Sequence, residues 1–317
     1  MRLSVLIVAL AFSSFVASAV RAEPTITLSG LVDSSMSLDL TDTDQGLLLG
    51  LDQVELDVQA ALGTLKLRID LQYFPALLSD PADGPMATFD GIVEQGFAEY
   101  FFAEPDRGLF LRAGKWNAPV GFETVDPTGL WQYSQGLLFT HATPSNLTGV
   151  AFGWVGASTQ AQLWLSNAWD QPGTPKETHL GARLQQGLGD TGTVGLSSTF
   201  GALADADPKL MIDLDAALTF GVLRLGLELN FGLQGDDQSL GFLIAANVAV
   251  TNAISVTARF DWLDREIPDA PYKGSSATLA GLFNLTQGFD LIAEVRANFP
   301  DGADTEVVGA LEALAYF

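Results

Sequence analysis

Apolar and polar residues take turns along this chain. In TLKLRIDLQY, Thr64 to Tyr73, the residues Leu65, Leu67, Ile69, Leu71 and Tyr73 fall on one face, and Lys66, Arg68, Asp70 and Gln72 on the other. A period of two belongs to a β-strand, whose successive side chains point to opposite sides. QVELDVQA, Gln53 to Ala60, alternates as strictly, and Leu62-Gly63 between the two reads as a hairpin turn. The pattern recurs throughout and predicts sixteen strands, starting near residues 25, 48, 64, 92, 109, 147, 158, 178, 193, 209, 222, 239, 254, 275, 289 and 306.

The joints alternate in length. Short ones fall at Leu62-Gly63, Glu104–Gly108, Val155–Ala157, Leu188–Gly192, Thr219–Gly221, Thr251–Ala253 and Thr286–Gly288. Between them lie longer, Asp-, Gly- and Pro-rich joints such as Ala204–Pro208, Leu233–Gln238 and Pro300–Thr305. Tight turns at one end and long loops at the other are the layout of an outer-membrane barrel, and an even strand count puts both chain ends on the periplasmic side.

The charges say which face meets which solvent. A Lys or Arg against hydrocarbon at the midplane costs ~2–4 kcal/mol, so the charged face looks inward. Lys66, Arg68, Arg112, Arg183, Arg224, Arg259 and Arg296 all take the polar parity of their strands. Tyr73, Phe231, Trp262, Phe289, Phe299 and Phe317 take the apolar parity near strand ends, where an aromatic girdle belongs. A soluble β-sandwich alternates too, but it hides its apolar face against a second sheet and needs no inward charged one. The expected fold is therefore all-β: a transmembrane antiparallel barrel of about sixteen strands.

Composition agrees. The chain has 317 residues, 48% of them hydrophobic, yet no mature stretch reaches the roughly 18 uninterrupted apolar residues of a spanning helix. In lipid the remaining option is a closed barrel. Residues 1–22 read as a secretory signal peptide: Arg2, then the apolar stretch Leu3–Val16, then a small-residue site cleaved after Ala19 or Ala22. That leaves 23–317 as one barrel domain in the outer membrane of a Gram-negative bacterium. A net charge of −23 argues against nucleic acid as a partner. With no Cys and only His141 and His179, zinc and thiol chemistry are excluded, and neither a cofactor nor a metal is expected. His141 has Ser134 and Ser145 nearby in sequence but no lipase motif around it, so no enzyme is expected.

The alternation stops once, through NAPVGFETVDPTGLWQYSQGLLFTHATPS, Asn117 to Ser145, between the fifth strand (Leu109 to Gly114) and the sixth (Leu147 to Trp154). Long ordered loops are usually functional, and the prolines at 119, 127 and 144 restrict this one. A sixteen-stranded barrel leaves a lumen that such a loop can enter. The expectation is a third loop, about 115–146, folded inward as a constriction, its apolar side chains on the wall and Glu123, Asp126 and Tyr133 facing water. A cap over the external mouth is the other arrangement open to it.

The stretch LRAGKWNAPVGFETVDPTGLWQYSQGLLFTHATPSNLTGV, Leu111 to Val150, resembles the β-barrel porins of the OmpL-like (beta-barrel porin-2) type. The resemblance rests on Gly114-Lys115, Pro119-x-Gly121-x-Glu123, Trp131-x-Tyr133-Ser134, Leu138-Phe139-Thr140, Pro144 and Thr148-Gly149-Val150. It implies an outer-membrane channel without naming a substrate. Where such sequences often carry an arginine after the Tyr-Ser pair, this chain has Gln135. The constriction is expected at Lys115, Glu123, Asp126 and Tyr133.

On the same parity the inward acids are Asp33, Asp39, Glu55, Asp57, Asp70, Glu99, Asp213, Asp215, Glu228, Asp261, Asp290, Glu294, Glu306 and Glu312, fourteen against seven bases. An excess of negative charge raises the local cation concentration. Passive passage of small hydrophilic solutes with mild cation preference is the reading; a non-conducting barrel for adhesion or scaffolding, and an outer-membrane lipase, are the alternatives. The expected partners are outer-membrane lipids, lipopolysaccharide and the barrel assembly machinery, with Phe317 as the assembly signal. By analogy with other sixteen-stranded porins, the expected assembly is a homotrimer.

Overall fold

Alternation becomes a wall in the computed structural model, which describes residues 23–42, 44, 46–73, 92–167, 177–203, 207–267 and 271–317. Residues 1–22, where a signal peptide is expected, lie outside that set, as do 204–206 of the Ala204–Pro208 joint. The described strands are β1 (Thr25–Asp39), β2 (Leu47–Leu62), β3 (Leu65–Tyr73), β4 (Val93–Phe101), β5 (Gly108–Asn117), β6 (Asn146–Val155), β7 (Thr159–Asn167) and β8 (Glu177–Gly187), followed by β9 (Gly192–Leu203), β10 (Lys209–Phe220), β11 (Leu223–Gln234), β12 (Asp237–Ala249), β13 (Ile254–Arg265), β14 (Tyr272–Thr286), β15 (Phe289–Pro300) and β16 (Glu306–Tyr316). Each pairs antiparallel with its neighbours in sequence, and β1 pairs with β16, so the sheet closes. All sixteen predicted starts fall within three residues of the observed ones.

The two faces sort as their chemistry requires. On β13 the side chains of Ser255, Thr257, Arg259 and Asp261 are buried, while Ile254, Val256 and Phe260 lie exposed. The same inversion holds on the other strands, with Leu49, Leu163, Leu180 and Leu279 among the most exposed residues. An apolar outer surface with a polar interior is stable only where the outer solvent is hydrocarbon. Among the described residues no helix is long and apolar enough to cross a membrane; the strands do so.

Three details depart from the sequence reading. Strand β5 continues to Asn117, which pairs with Asn146, so the irregular segment is 118–145 and Lys115 belongs to the strand. Leu233–Gln238 is not a long loop. Strands β11 and β12 pair through Gln234↔Asp237 around a two-residue turn, where Gly235 sits at φ +61, a conformation glycine adopts without strain. And register shifts occur between Asp33/Ser34 on the β1–β2 ladder and Asp70/Leu71 on the β3–β4 ladder. In each case one residue, Asp52 and Glu94 respectively, is left without a partner, which is a β-bulge.

Closure is completed at the chain end. The backbone N–H of Phe317 donates to the Gly30 carbonyl at 3.1 Å, and the Gly30 N–H returns a bond to the Phe317 carbonyl at 3.4 Å. The Phe317 ring covers Gly30 on the outer face, where a β-carbon would meet it at 3.1 Å.

Candidate functional site

The segment 118–145 brings its own apolar residues to a wall that is mostly polar, and the wall changes to receive them. Inward positions that hold Trp164, Met211, Leu243, Ala245 and Leu263 are buried. Trp116 and Val120 pack with Leu147, Trp164 and Met211. Leu138 packs with Leu243 and Ala245 beside Phe122 and Trp131, and Leu137 with Ala142 and Leu263. Burying one such side chain is worth about 1.5–3 kcal/mol relative to exposure. Within the segment, Pro127 opens a short 3-10 turn (Pro127–Gly129), and a one-turn helix α1 (Leu137–His141) follows.

Polar bonds tie the segment to strands all round. The Pro119 carbonyl accepts from Ser197 of β9 at 3.1 Å, and the Phe122 N–H donates to Glu228 of β11 at 2.8 Å. Gly121 precedes it at φ +81, and a β-carbon there would stand 3.0 Å from the Glu228 carboxylate. The Trp131 carbonyl accepts from Thr257 of β13 at 2.7 Å, and the Ser134 N–H donates to Glu294 of β15 at 3.0 Å. The Tyr133 hydroxyl lies 3.1 Å from Ser35 Oγ of β1 and 3.3 Å from Asp52 Oδ2 of β2.

Arg259 is the hub of this network. Its Nη1 donates to Glu123 at 2.8 Å and to the Ser134 carbonyl, its Nε stands 3.0 Å from Asp261, and its Nη2 reaches Ser134 Oγ and Thr278. Glu123 also accepts from Gln132 at 2.8 Å and from the Gly136 N–H at 2.6 Å. At 5% exposure Glu123 does not face water as the sequence suggested; Arg259 and these donors hold it as an anchor. Arg296 donates to the Gln135 carbonyl at 2.7 Å, and Arg224 donates to Asn247 and lies over the Trp131 ring at 4.8 Å. The Gln135 side chain reaches the Thr124 carbonyl at 2.9 Å.

Most remaining wall charges are paired. Arg112 meets Glu99 at 2.6 Å, Arg183 meets Asp215 at 2.7 Å, and Arg68 meets Asp70 at 2.6 Å. Asn230 donates to Asp213 at 3.0 Å. Lys66 pairs with Asp106 at the tight-turn end, and Lys115 donates to the Val93 carbonyl at 2.8 Å. The five strands β16, β1, β2, β3 and β4 are different. They carry Glu312, Asp33, Asp52, Glu55, Asp57, Asp70, Glu94 and Glu99, but only Lys66 and Arg68 as bases. Acids thus outnumber bases on one arc of the interior.

Gaps remain between the segment and that arc around the Tyr133 contacts. A cavity of about 350 Å³ lies between Arg68, Gln95 and Asn117 on one side and Pro119, Thr124, Asp126 and Arg183 on the other. A second, of about 480 Å³, lies beside Asp33, Asp52 and Tyr133. Burial raises the Asp126 carboxyl above its usual range, with Arg68 opposing and Asp57 adding to the rise. Burial also pushes the Tyr133 hydroxyl up to about 12, so it remains a neutral donor. The Glu123 carboxyl is raised by burial against the pull of Arg259.

His141 stacks on Tyr272 with ring centroids 4.5 Å apart. Burial, then Arg265 and Arg296, hold its imidazole below the ordinary 6.5. Below 6.5 the unfolded chain binds a proton that the folded chain refuses, so stability falls as pH drops through that value. NMR titration of the folded protein should give His141 a midpoint below 6.5, and His141→Gln should flatten the corresponding slope in thermal stability. A midpoint at or above 6.5 contradicts this.

The beta-barrel porin-2, OmpL-like family matches residues 25–299, nearly the whole barrel. The chain belongs to that family. Its solved structural neighbours include the outer membrane channel DcaP of Acinetobacter baumannii (TM-score 0.66, 9% identity, covering 94% of this chain and 99% of that one). An anion-selective porin from Comamonas acidovorans aligns with TM-score 0.62 at 16% identity, over 93% of this chain and 100% of that one. OmpT of Vibrio cholerae in its trimer form aligns with TM-score 0.66 at 11% identity, over 93% of this chain and 100% of that one. Identities this low carry the barrel fold alone. No curated protein sequence matches the chain.

In this porin-family barrel, strand parity found most of the inward charges but missed Asp52 and Glu94. Both sit at the bulges, and Glu94 and Gln95, neighbours in sequence, are both buried. A bulge re-aims a side chain, which a period-two reading assigns to the wrong face. The only signal was the flaw itself, an acid on the apolar parity of a strand.

Proposed function

We propose that the protein is a porin of a Gram-negative outer membrane that lets small hydrophilic solutes diffuse through a water-filled lumen, with a mild preference for cations. The segment 118–145 serves as the constriction, and the arc from β16 to β4 supplies the opposite wall. What carries this reading is the acid excess on that arc: elsewhere Arg112, Arg183 and Arg259 are each met by a carboxylate and Arg224 and Arg296 bond neutral groups, while Asp57 and Glu94 on the arc, and Asp126 on the segment, keep carboxylate oxygens without a hydrogen-bond partner. Such a wall concentrates cations at the gap. Arg68 and Arg183 at the rim of the 350 Å³ cavity temper the preference. The constriction reading draws on contacts between the segment and inward-facing groups of β1, β2, β9, β11, β13, β14 and β15. The reading includes no catalytic step, and His141 serves in it as a stacking partner of Tyr272.

Assembly as a homotrimer, as in the trimer form of Vibrio cholerae OmpT, fits this reading, as does recognition of the Phe317 end by the assembly machinery. Purified protein in planar bilayers is expected to give stepwise conductance in KCl, with a reversal potential of cation sign under a salt gradient. Liposome swelling with small sugars should accompany it. A reversal potential of anion sign, the behaviour named for the Comamonas porin, would refute the acid-arc argument. A barrel without conductance or swelling would be a scaffold rather than a channel.

A further inference from the structure

The 480 Å³ cavity between the segment and the wall of β1–β3 has two sides of unlike chemistry. The wall side presents Asp33, Asp52 and Gln72; the segment side presents Val125, Pro127, Leu130 and Phe139, edged by Tyr133, Ser134, Gln135 and Ser145. Asp33 is 5% exposed, and its Oδ1 has no hydrogen-bond partner; nor has Gln72 Oε1. Along the same arc, the unpartnered oxygens of Asp57 and Glu94 are acceptors as well. Two of the amide donors nearby are already committed, Gln53 to Glu55 at 2.7 Å and Gln95 to Asp70 at 2.5 Å. A bulge turns Asp52 to the same side as Gln53. The wall is therefore rich in acceptor oxygens, and it faces a partly apolar floor.

A ligand that fits must bring positive charge, several N–H donors and a short apolar body. An alkali cation brings only the charge, and a neutral sugar brings donors without it. We propose that this cavity is a binding subsite for organic monocations of the alkylammonium and alkylguanidinium class. The ammonium or guanidinium head meets Asp33, Asp52 and the Gln72 carbonyl, and the alkyl chain lies on Phe139, Leu130 and Val125. Charge-assisted hydrogen bonds supply the attraction for the head, and removal of the chain from water supplies that for the body. The inference rests on the channel reading, because the cavity receives solute only if the lumen is open.

The test is a bi-ionic reversal-potential measurement in planar bilayers, with KCl on one side and n-butylammonium chloride on the other. The permeability of n-butylammonium relative to K⁺ is expected to exceed the ratio of their free mobilities by about twofold or more. Asp33→Asn and Asp52→Asn should each lower it toward that ratio, with heat-modifiable gel migration reporting that the variants fold. Phe139→Ser should lower it for n-butylammonium but not for methylammonium, which has no chain to lay on the floor. A wild-type channel that conducts KCl yet passes n-butylammonium at or below the mobility ratio overturns this inference and leaves the channel reading standing. Absence of KCl conductance overturns both.

Discussion

Arg259→Met should destabilise the barrel by about 3–5 kcal/mol, because it strips the compensating charge from two buried acids at once. Glu123 and Asp261 have carboxylates essentially without solvent contact, and Arg259 stands within 3.0 Å of both. The loss is local to the segment as well. The same guanidinium holds the Ser134 and Gln135 carbonyls, so the segment should loosen and, with the segment as the proposed constriction, single-channel conductance should rise. Urea or thermal unfolding in lipid vesicles, read beside conductance in bilayers, measures both. Adding Glu123→Gln to the Arg259→Met variant should recover part of the stability, since the neutral amide no longer needs a counter-charge, but not the narrow conductance. Wild-type stability and conductance in the single variant would mean that Arg259 does not hold the segment.

Leu229→Arg should cost roughly 2–4 kcal/mol when unfolding is measured in lipid vesicles. Leu229 sits mid-strand on β11, pairs with Leu214 and Phe242, and is 48% exposed on the outer face. The guanidinium would meet acyl chains there with no headgroup in reach. Gln72→Lys, a charge placed among acids on the inner face, should by contrast leave stability near wild type and shift the reversal potential toward anions. An outer-face arginine tolerated as easily as an inner-face lysine would mean that the apolar surface does not face hydrocarbon.

How far the sequence could be read depended on which physical rule governed each residue. Strand positions obeyed parity, because one solvent lies on each side of the wall, so Arg112, Arg183, Arg259 and Arg296 could be oriented without coordinates. Leu233–Gln238 was misread because Gly, Asp and Asp suit a tight turn as well as a loop, and only pairing distinguishes them. Glu123 was misread for a different reason. Its charge suggested water, but the partner that buries it, Arg259, is 136 residues away, and no local pattern connects the two. Likewise Leu243, Ala245 and Leu263 interrupt the inward polar face as the apolar patches on which Leu138 and Leu137 rest, residues more than a hundred positions away.

The seam between β1 and β16 has a kinetic meaning. It joins residues about as distant as the chain allows, with Ser34 bonded to the Ala313 carbonyl across 279 positions. Every other ladder links neighbours and can zip as hairpins form, but this one waits until the penultimate strand is in place. Until then two rows of unpaired amides lie open to any other extended chain. The half-built cylinder, rather than the finished one, is the species most prone to aggregate, and substitutions that weaken this last ladder should slow insertion more than they lower final stability.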